Sequence, residues 1–247
     1  MQERVNLSPM PLYLQIASSI EKQIQSGKLS VDDRLPSERE LAEELSVSRM
    51  TVRHALRTLQ EQGLIERLSG RGSFVSKPRV DQPVDILVGL FDSMTRKGVM
   101  PSARLLAFEY RLADRQVAQG LQMEVGEPIC FVHRLRLGNK LPLAVERAFF
   151  PAYCFPNPPD CQDLERRSLY AILREEAGIN LEQAVQSLES RAAQPDEAKL
   201  LDISVGTPLM FVERVSYDDK QRVIEYGTYF FRGDCVRFVS HSTKPDW

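Results

Sequence analysis

Apolar residues recur at helical spacing near the start of the chain: Leu12, Ile16, Ile20 and Ile24, with Tyr13 and Ala17 beside them. Gly27 supplies a stop, so the pattern predicts an amphipathic helix over residues 11–26. Ser37 with Glu40 three positions later is a capping box ahead of Leu41, Ala42 and Leu45. That second helix is short and ends near Ser46-Val47. Ser48 caps a third, whose apolar face is Val52, Ala55, Leu56 and Leu59, closing at Gly63. The period then changes: residues 64–68 read as a strand, Ser69-Gly70-Arg71-Gly72 as a tight turn, and residues 73–76 as a second strand.

A helix, a three-residue turn and another helix is the spacing of a helix-turn-helix. Arg53, His54 and Arg57 face away from the apolar side, and Ser48, Arg49 and Thr51 sit at the helix start, the end that enters a major groove. A solvated basic face on a plain helical hairpin accounts for the spacing equally well. The strand hairpin that follows tips the balance, because it reads as a wing. Its glycines, Gly72 among them, allow close backbone approach, and Arg71 at the tip reaches a sugar-phosphate edge or the minor groove. Charge agrees. The chain as a whole carries a net −2, yet residues 46–79 hold seven Lys/Arg against two acids, and residues 80–247 hold 20 against 24. A basic patch followed by an acidic body places a polyanion on one surface only.

The run LPSERELAEELSVSRMTVRHALRTLQEQGLIERLSGRGSFVS resembles the winged helix-turn-helix of the GntR family of bacterial transcription regulators over about residues 8–77. The resemblance implies that Arg39, Arg49, Thr51 and Arg53 contact double-stranded operator DNA and that Gly72 sits in the wing.

The expected organisation is a DNA-binding domain over 1–76, a proline-bearing polar linker over 77–83 and a body over 84–247. The body contains a repeat. Residues 125–134 align with 205–214, and 143–147 with 222–226, each copy preceded by a short helix, near 114–121 and 196–201. Two such copies give a largely antiparallel sheet with helices on one side, an α+β layer. The repeat makes Arg134 equivalent to Arg214 and Glu146 to Glu225. Charged residues inside apolar strands need partners or a ligand. Two readings stand: Arg134 pairs with Glu146 as a plain salt bridge across a hairpin, or the pairs line a polar cavity suited to planar anions.

RLRLGNKLPLAVERAFFP, RRSLYAIL and VIEYGTYFFRGDCVRFV resemble the UTRA effector-binding domain of the HutC subfamily of GntR regulators, which shares the chorismate lyase fold. The resemblance implies a homodimeric regulator, a repressor by family habit, that binds a palindromic operator; the lack of a signal core or membrane-length run leads to the expectation of a cytoplasmic location. It also implies an effector pocket at Arg134, Arg136, Glu146, Ser168, Tyr170 and Glu225, to which Tyr229 adds a hydroxyl. Sugar-phosphate-binding members carry hydroxyl residues where this chain reads Leu87-Val88-Gly89-Leu90-Phe91, a basic residue at Gln183 and a tyrosine at Phe231. Those departures favour a carboxylate or amino-acid-like effector, with a phosphorylated sugar as the alternative.

Other classes fare worse. A lyase-like enzyme with a DNA-binding head shares the fold, but His133 and His241 have no evident Ser or Cys partner. A nucleoid-coating protein predicts a basic surface throughout. Cys130, Cys154, Cys161 and Cys235 form no CxxC, so neither a metal nor a disulfide is expected, and no cofactor is implied. No apolar run reaches membrane-spanning length, and MQERVNLSPMPLY has no signal core.

Overall fold

A computed structural model describes residues 10–68 and 70–243, so residues 1–9, Ser69 of the expected turn and residues 244–247 lie outside the described residues. The chain divides into two units, Met1–Pro78 and Arg79–Trp247. In the first, α1 (Leu12–Gln25) buries Ile16, Ala17, Ile20 and Ile24. α2 (Glu38–Glu44) starts on the full capping box: the Glu40 N–H donates to Ser37 Oγ, and the Ser37 N–H donates to the Glu40 carboxylate. α3 (Arg49–Glu61) packs Val52, Ala55, Leu56 and Leu59 into the same core.

Leu45, expected on the buried face of α2, stands exposed. The helix closes at Glu44, Ser46 turns the chain with φ +52, and Val47 packs on the core instead. β1 (Ile65–Leu68) and β2 (Gly72–Val75) form the wing, with Ile65 opposite Val75, and Arg34 adds a bridge to Phe74.

The second unit begins earlier than the expected linker allows. β3 (Val80–Pro83) is a strand with Val80 and Gln82 buried and Asp81 and Pro83 half-buried. It pairs in parallel with β10 (Val236–Val239), so the second half of the expected 77–83 linker belongs to the body. The partner strand lies over 150 positions away, which no local pattern reveals.

α4 (Leu90–Arg96) follows, and then the repeat. The first copy is β4 (Pro101–Leu112), α5 (Arg115–Leu121), β5 (Pro128–Gly138) and β6 (Leu141–Pro151). After α6 (Cys161–Arg166) and α7 (Leu169–Ala177), the second is β7 (Leu181–Ala192), α8 (Pro195–Leu201), β8 (Pro208–Asp218) and β9 (Val223–Arg232). The six strands form one antiparallel sheet in the order β4-β5-β6-β9-β8-β7.

That order is symmetric about the β6–β9 seam, where Ala148 faces Gly227. These two residues are equivalents in the repeat, so a pseudo-two-fold axis passes between them. Equivalent cation–π pairs follow: the Arg111 guanidinium lies 4.1 Å from the Phe131 centroid and that of Arg191 lies 3.4 Å from Phe211. β4 and β7 escaped the sequence-level repeat because they are edge strands with partly exposed, weakly alternating residues.

Helices cover both faces of the sheet, not one. α5 packs on Ile129, Phe149 and Tyr226, and α8 on Leu135, Val145 and Leu209. The other face, formed by Cys130, Val132, Ala148 and Phe150, lies under α6 and α7. Strand alternation allows both, since each of the four central strands, β5, β6, β8 and β9, presents buried residues of both parities. Cys130 and Cys154 are buried free thiols in this layer, and burial pushes them up to about 11 and about 12. Among the described residues no helix is long and apolar enough to cross a membrane, and no His/Cys/Asp/Glu group could hold a metal ion.

The capping box has a measurable share in the first unit. Ser37→Ala should lower its stability by about 1 kcal/mol in urea unfolding, through the lost α2 cap. An unchanged midpoint would mean that α2 is held by its neighbours alone.

Candidate functional site

The first candidate surface is the outer side of α3 with the wing. Ser48 is spent on capping, since its Oγ accepts from the Thr51 N–H at 3.1 Å and lies 2.8 Å from the Thr51 hydroxyl. Arg49 opens the helix on the exposed side. Arg39 on α2 is exposed beside Glu43.

Arg53 is not loose: its Nε donates to Glu38 at 3.1 Å, and Arg67 of β1 donates to the other oxygen of the same carboxylate. Burial raises the Glu38 carboxyl, but the two guanidinium groups outweigh it and hold the group below the ordinary carboxylate range. Glu38 therefore ties α3 to the wing, a role that no charge count on α3 alone would find.

Two expected contacts are engaged elsewhere. His54 stacks on Tyr13 of α1 with ring centroids 3.8 Å apart, and Arg57 pairs with Glu61 at 2.9 Å. Arg71 is exposed at the wing turn. Gly72 has φ +112, and a Cβ there would meet Arg34 Nε at 3.2 Å. The glycine thus admits a guanidinium against the wing, and Arg34 joins the basic surface unpredicted.

The second site is a cavity on the α7 side of the sheet. Across the β5–β6 hairpin Arg134 faces Glu146 in register. Arg134 is wholly buried; its Nε donates to Glu146 Oε2 at 2.8 Å and its Nη1 to the Leu164 carbonyl at 3.0 Å. Arg136 Nη1 reaches the same Glu146 oxygen at 3.1 Å. Burial raises the Glu146 carboxyl, yet the charges of Arg134 and Arg136 hold it below its ordinary value.

The second repeat copy has diverged. Arg214 turns to Gln186 Oε1, at 2.8 and 3.1 Å, and donates to Tyr170 Oη at 3.1 Å. Glu225 instead accepts three hydroxyls: Tyr170 at 2.9 Å, Ser216 at 2.6 Å and Tyr229 at 2.7 Å. Gly227 makes this possible, because a Cβ there would lie 2.6 Å from Tyr229 Oη. The Tyr229 ring folds back over that bare backbone to reach Glu225. Burial and the Glu225 charge push both phenols upward, so they remain donors at neutral pH.

Of the expected pocket residues, Arg134, Arg136, Glu146, Ser168, Tyr170 and Tyr229 line the cavity together. Glu225 does not: it is wholly buried, bonded to Tyr170 and Tyr229, and acts on the wall only through them. Arg214, Gln82, Gly89 and Phe231 also line it, and Leu90, Phe91, Ala144 and Leu169 give it an apolar part. Arg134 thus makes the salt bridge across the hairpin and, together with Glu146, lines the cavity.

Three guanidinium groups on the wall, against Glu146 there and Glu225 behind it, leave a net positive site, which suits an anion with planar acceptors. His133 lies on the opposite face of the sheet, near Phe131, and burial lowers its pKa.

A winged helix-turn-helix joined to an α+β unit with a buried arginine-lined cavity defines a transcription regulator with separate DNA-binding and effector-binding parts. Residues 12–75 match the family of bacterial regulatory proteins named gntR, and residues 96–237 match the UTRA domain. The chain belongs to the GntR family, in the HutC subfamily that carries a UTRA domain.

It is 36% identical to the HTH-type transcriptional repressor NagR of Bacillus subtilis, over 96% of this chain and 97% of that one. The histidine utilization repressor of Pseudomonas putida is 30% identical, over 87% and 86%. The crystal structure of PhnF from Mycobacterium smegmatis, 29% identical, superposes with a TM-score of 0.67 over 93% of this chain and 100% of that one. NagR, the histidine utilization repressor and PhnF are all named as repressors, and the chain is a regulator rather than an enzyme.

Glu146 carries a pH-dependent share of stability. With its folded pKa depressed, that share is present above about pH 4.3, the unperturbed value, and is lost as pH falls through the folded value. Glu146→Gln leaves two buried guanidinium groups uncompensated and should destabilise by about 3 kcal/mol at pH 7. The gap to wild type should narrow on acidification below about pH 4. A gap that stays constant down to pH 3 in calorimetry contradicts this assignment.

Proposed function

We propose that the chain represses transcription as a homodimer. Its α3 and wing read a near-palindromic operator, and a small anionic metabolite in the second unit modulates that binding. The observation that carries the reading is the buried Arg134–Glu146–Arg136 cluster on a cavity wall, in a unit joined to an exposed basic α3. A two-fold protein suits a two-fold site, and exposed arginines suit guanine through bidentate pairing to O6 and N7.

The side chains of the wall favour a carboxylate or amino-acid-like effector. Two relatives bear names of that kind: the histidine utilization repressor, and the mannosyl-D-glycerate transport/metabolism system repressor MngR of Escherichia coli, 32% identical over 93% of this chain. A phosphorylated sugar is the second reading, favoured by Gly89 beside Ser168. A Cβ on Gly89 would lie 3.8 Å from Ser168 Oγ, so the bare backbone leaves an anion room beside that hydroxyl, while the Asp92 carboxylate, 3.5 Å from the same point, opposes a second negative charge there.

With an operator selected by the protein from random-sequence DNA, Arg53→Ala should abolish the gel shift while the circular dichroism and dimer mass stay those of wild type. Normal operator affinity in that variant sinks the assignment of α3.

A melting-temperature screen of carboxylates and sugar phosphates tests the cavity. A true effector at a hundred times its Kd adds about 2.7 kcal/mol of stability. Arg136→Ala should lose that shift and keep operator binding. A shift that survives in Arg136→Ala places the ligand elsewhere.

A further inference from the structure

Gln82 is a glutamine within the segment that the sequence reads as linker, and it is 2% exposed. Its amide nitrogen donates to the Val88 carbonyl at 2.7 Å. A carbonyl can only accept, which fixes the amide orientation and leaves Oε1 as the other end. That oxygen is buried and has no partner among the described residues. Gln82 also lines the cavity, together with Arg136, whose Nε is likewise buried and unpartnered among the described residues. A buried acceptor without a donor destabilises a fold by about 1–3 kcal/mol unless something supplies the hydrogen bond. Two wall residues therefore each carry a buried group with an unused hydrogen bond, an acceptor on Gln82 and a donor on Arg136.

The position of Gln82 in the chain matters as much as its chemistry. β3 starts two residues after the first unit ends at Pro78. Asp81 anchors the outer side of the strand, with Lys97 at 2.8 Å and Arg237 at 2.9 Å. Gln82 faces Phe238 across the β3–β10 pair, and Phe238 packs edge-on against Phe231 of the cavity wall with centroids 5.2 Å apart. Through Val88 the same side chain holds the loop that leads to Gly89, another wall residue. One residue thus lines the cavity, holds the loop beside it and belongs to the strand that follows the first unit.

We propose that Gln82 is the residue that reads the effector: its Oε1 accepts a hydrogen bond from an N–H or O–H of the bound anion, and that bond reports occupancy to β3. The inference rests on the anion-binding reading of the cavity and adds a requirement to it. The effector carries a hydrogen-bond donor as well as its anionic group, and an analogue that keeps the anion but lacks the donor binds without signalling.

Matched pairs on the full-length protein test this: L-glutamate against glutarate, and 2-aminoethyl phosphate against ethyl phosphate. In one pair the donor-bearing member should bind wild type about 10-fold more tightly by calorimetry. In Gln82→Met that preference should fall to about twofold or less, because the donor-bearing member weakens more than its partner. Gln82→Leu serves as the second variant should the methionine one melt early. On operator DNA selected by the wild type, the donor-bearing member should release the protein, and its partner should not, even at saturation. Equal weakening of both members in the variants makes Gln82 a structural residue and overturns the proposal, as does full DNA release by the saturating donor-less member. If neither pair binds wild type but donor-less anions shift its melting temperature and release the DNA, the cavity reading survives and the donor requirement falls. If no anion shifts it, the cavity reading itself fails.

Discussion

The Arg134 guanidinium, fully buried and clamped by Glu146 across a β-hairpin, is the constraint around which the second unit is arranged. A buried ion pair of this kind is a poor source of stability, because desolvating two charges offsets most of their attraction. The fold tolerates it by surrounding it with further bonds: Arg136 on the same carboxylate, the Leu164 carbonyl on the guanidinium, and α7 over the top. The apolar clusters around it, under α7 and along the β6–β9 seam, are where the stabilisation of this unit lies. Charge retained in such a place needs another reason, and a net positive cavity wall supplies one.

Duplication explains how one strand pair became two different half-sites. The repeat places Arg134 with Arg214 and Glu146 with Glu225 on one face of a sheet with a pseudo-two-fold axis between Ala148 and Gly227. The first copy keeps its carboxylate on arginines. The second hands its carboxylate to Tyr170, Ser216 and Tyr229 and its arginine to Gln186 and Tyr170. Breaking the symmetry in this way gives an asymmetric pocket, which an asymmetric metabolite requires. The bare Gly227 backbone is the local change that lets Tyr229 lie across the axis.

The sequence was most informative where interactions are local. Ser37 with Glu40, Ser48 before α3 and the glycines of the wing announce their elements within four residues, and the DNA-binding unit follows its pattern closely. The cavity was half legible. The repeated strands exposed Arg134, Glu146 and their equivalents, yet the same equivalence put Glu225 on the wall, because a repeat shows position and not what a tyrosine will cover. Gln82 was hidden for a different reason. Val80-Asp81-Gln82-Pro83 reads as a linker until Val236–Val239 comes alongside, and a parallel partner that distant leaves no local trace. Glu38 was missed because its partners, Arg53 and Arg67, meet it only in three dimensions.

The claim that the buried charges serve the ligand rather than the fold is open to one direct measurement. In the triple variant Arg134→Met, Arg136→Met, Glu146→Leu every buried charge of the cluster is removed together and the volume is roughly kept. Its melting temperature should stay within about 4 °C of wild type or rise above it, because the desolvation penalty disappears with the attraction. A fall as large as that of Glu146→Gln alone would show that the cluster holds the fold together, and would contradict the account.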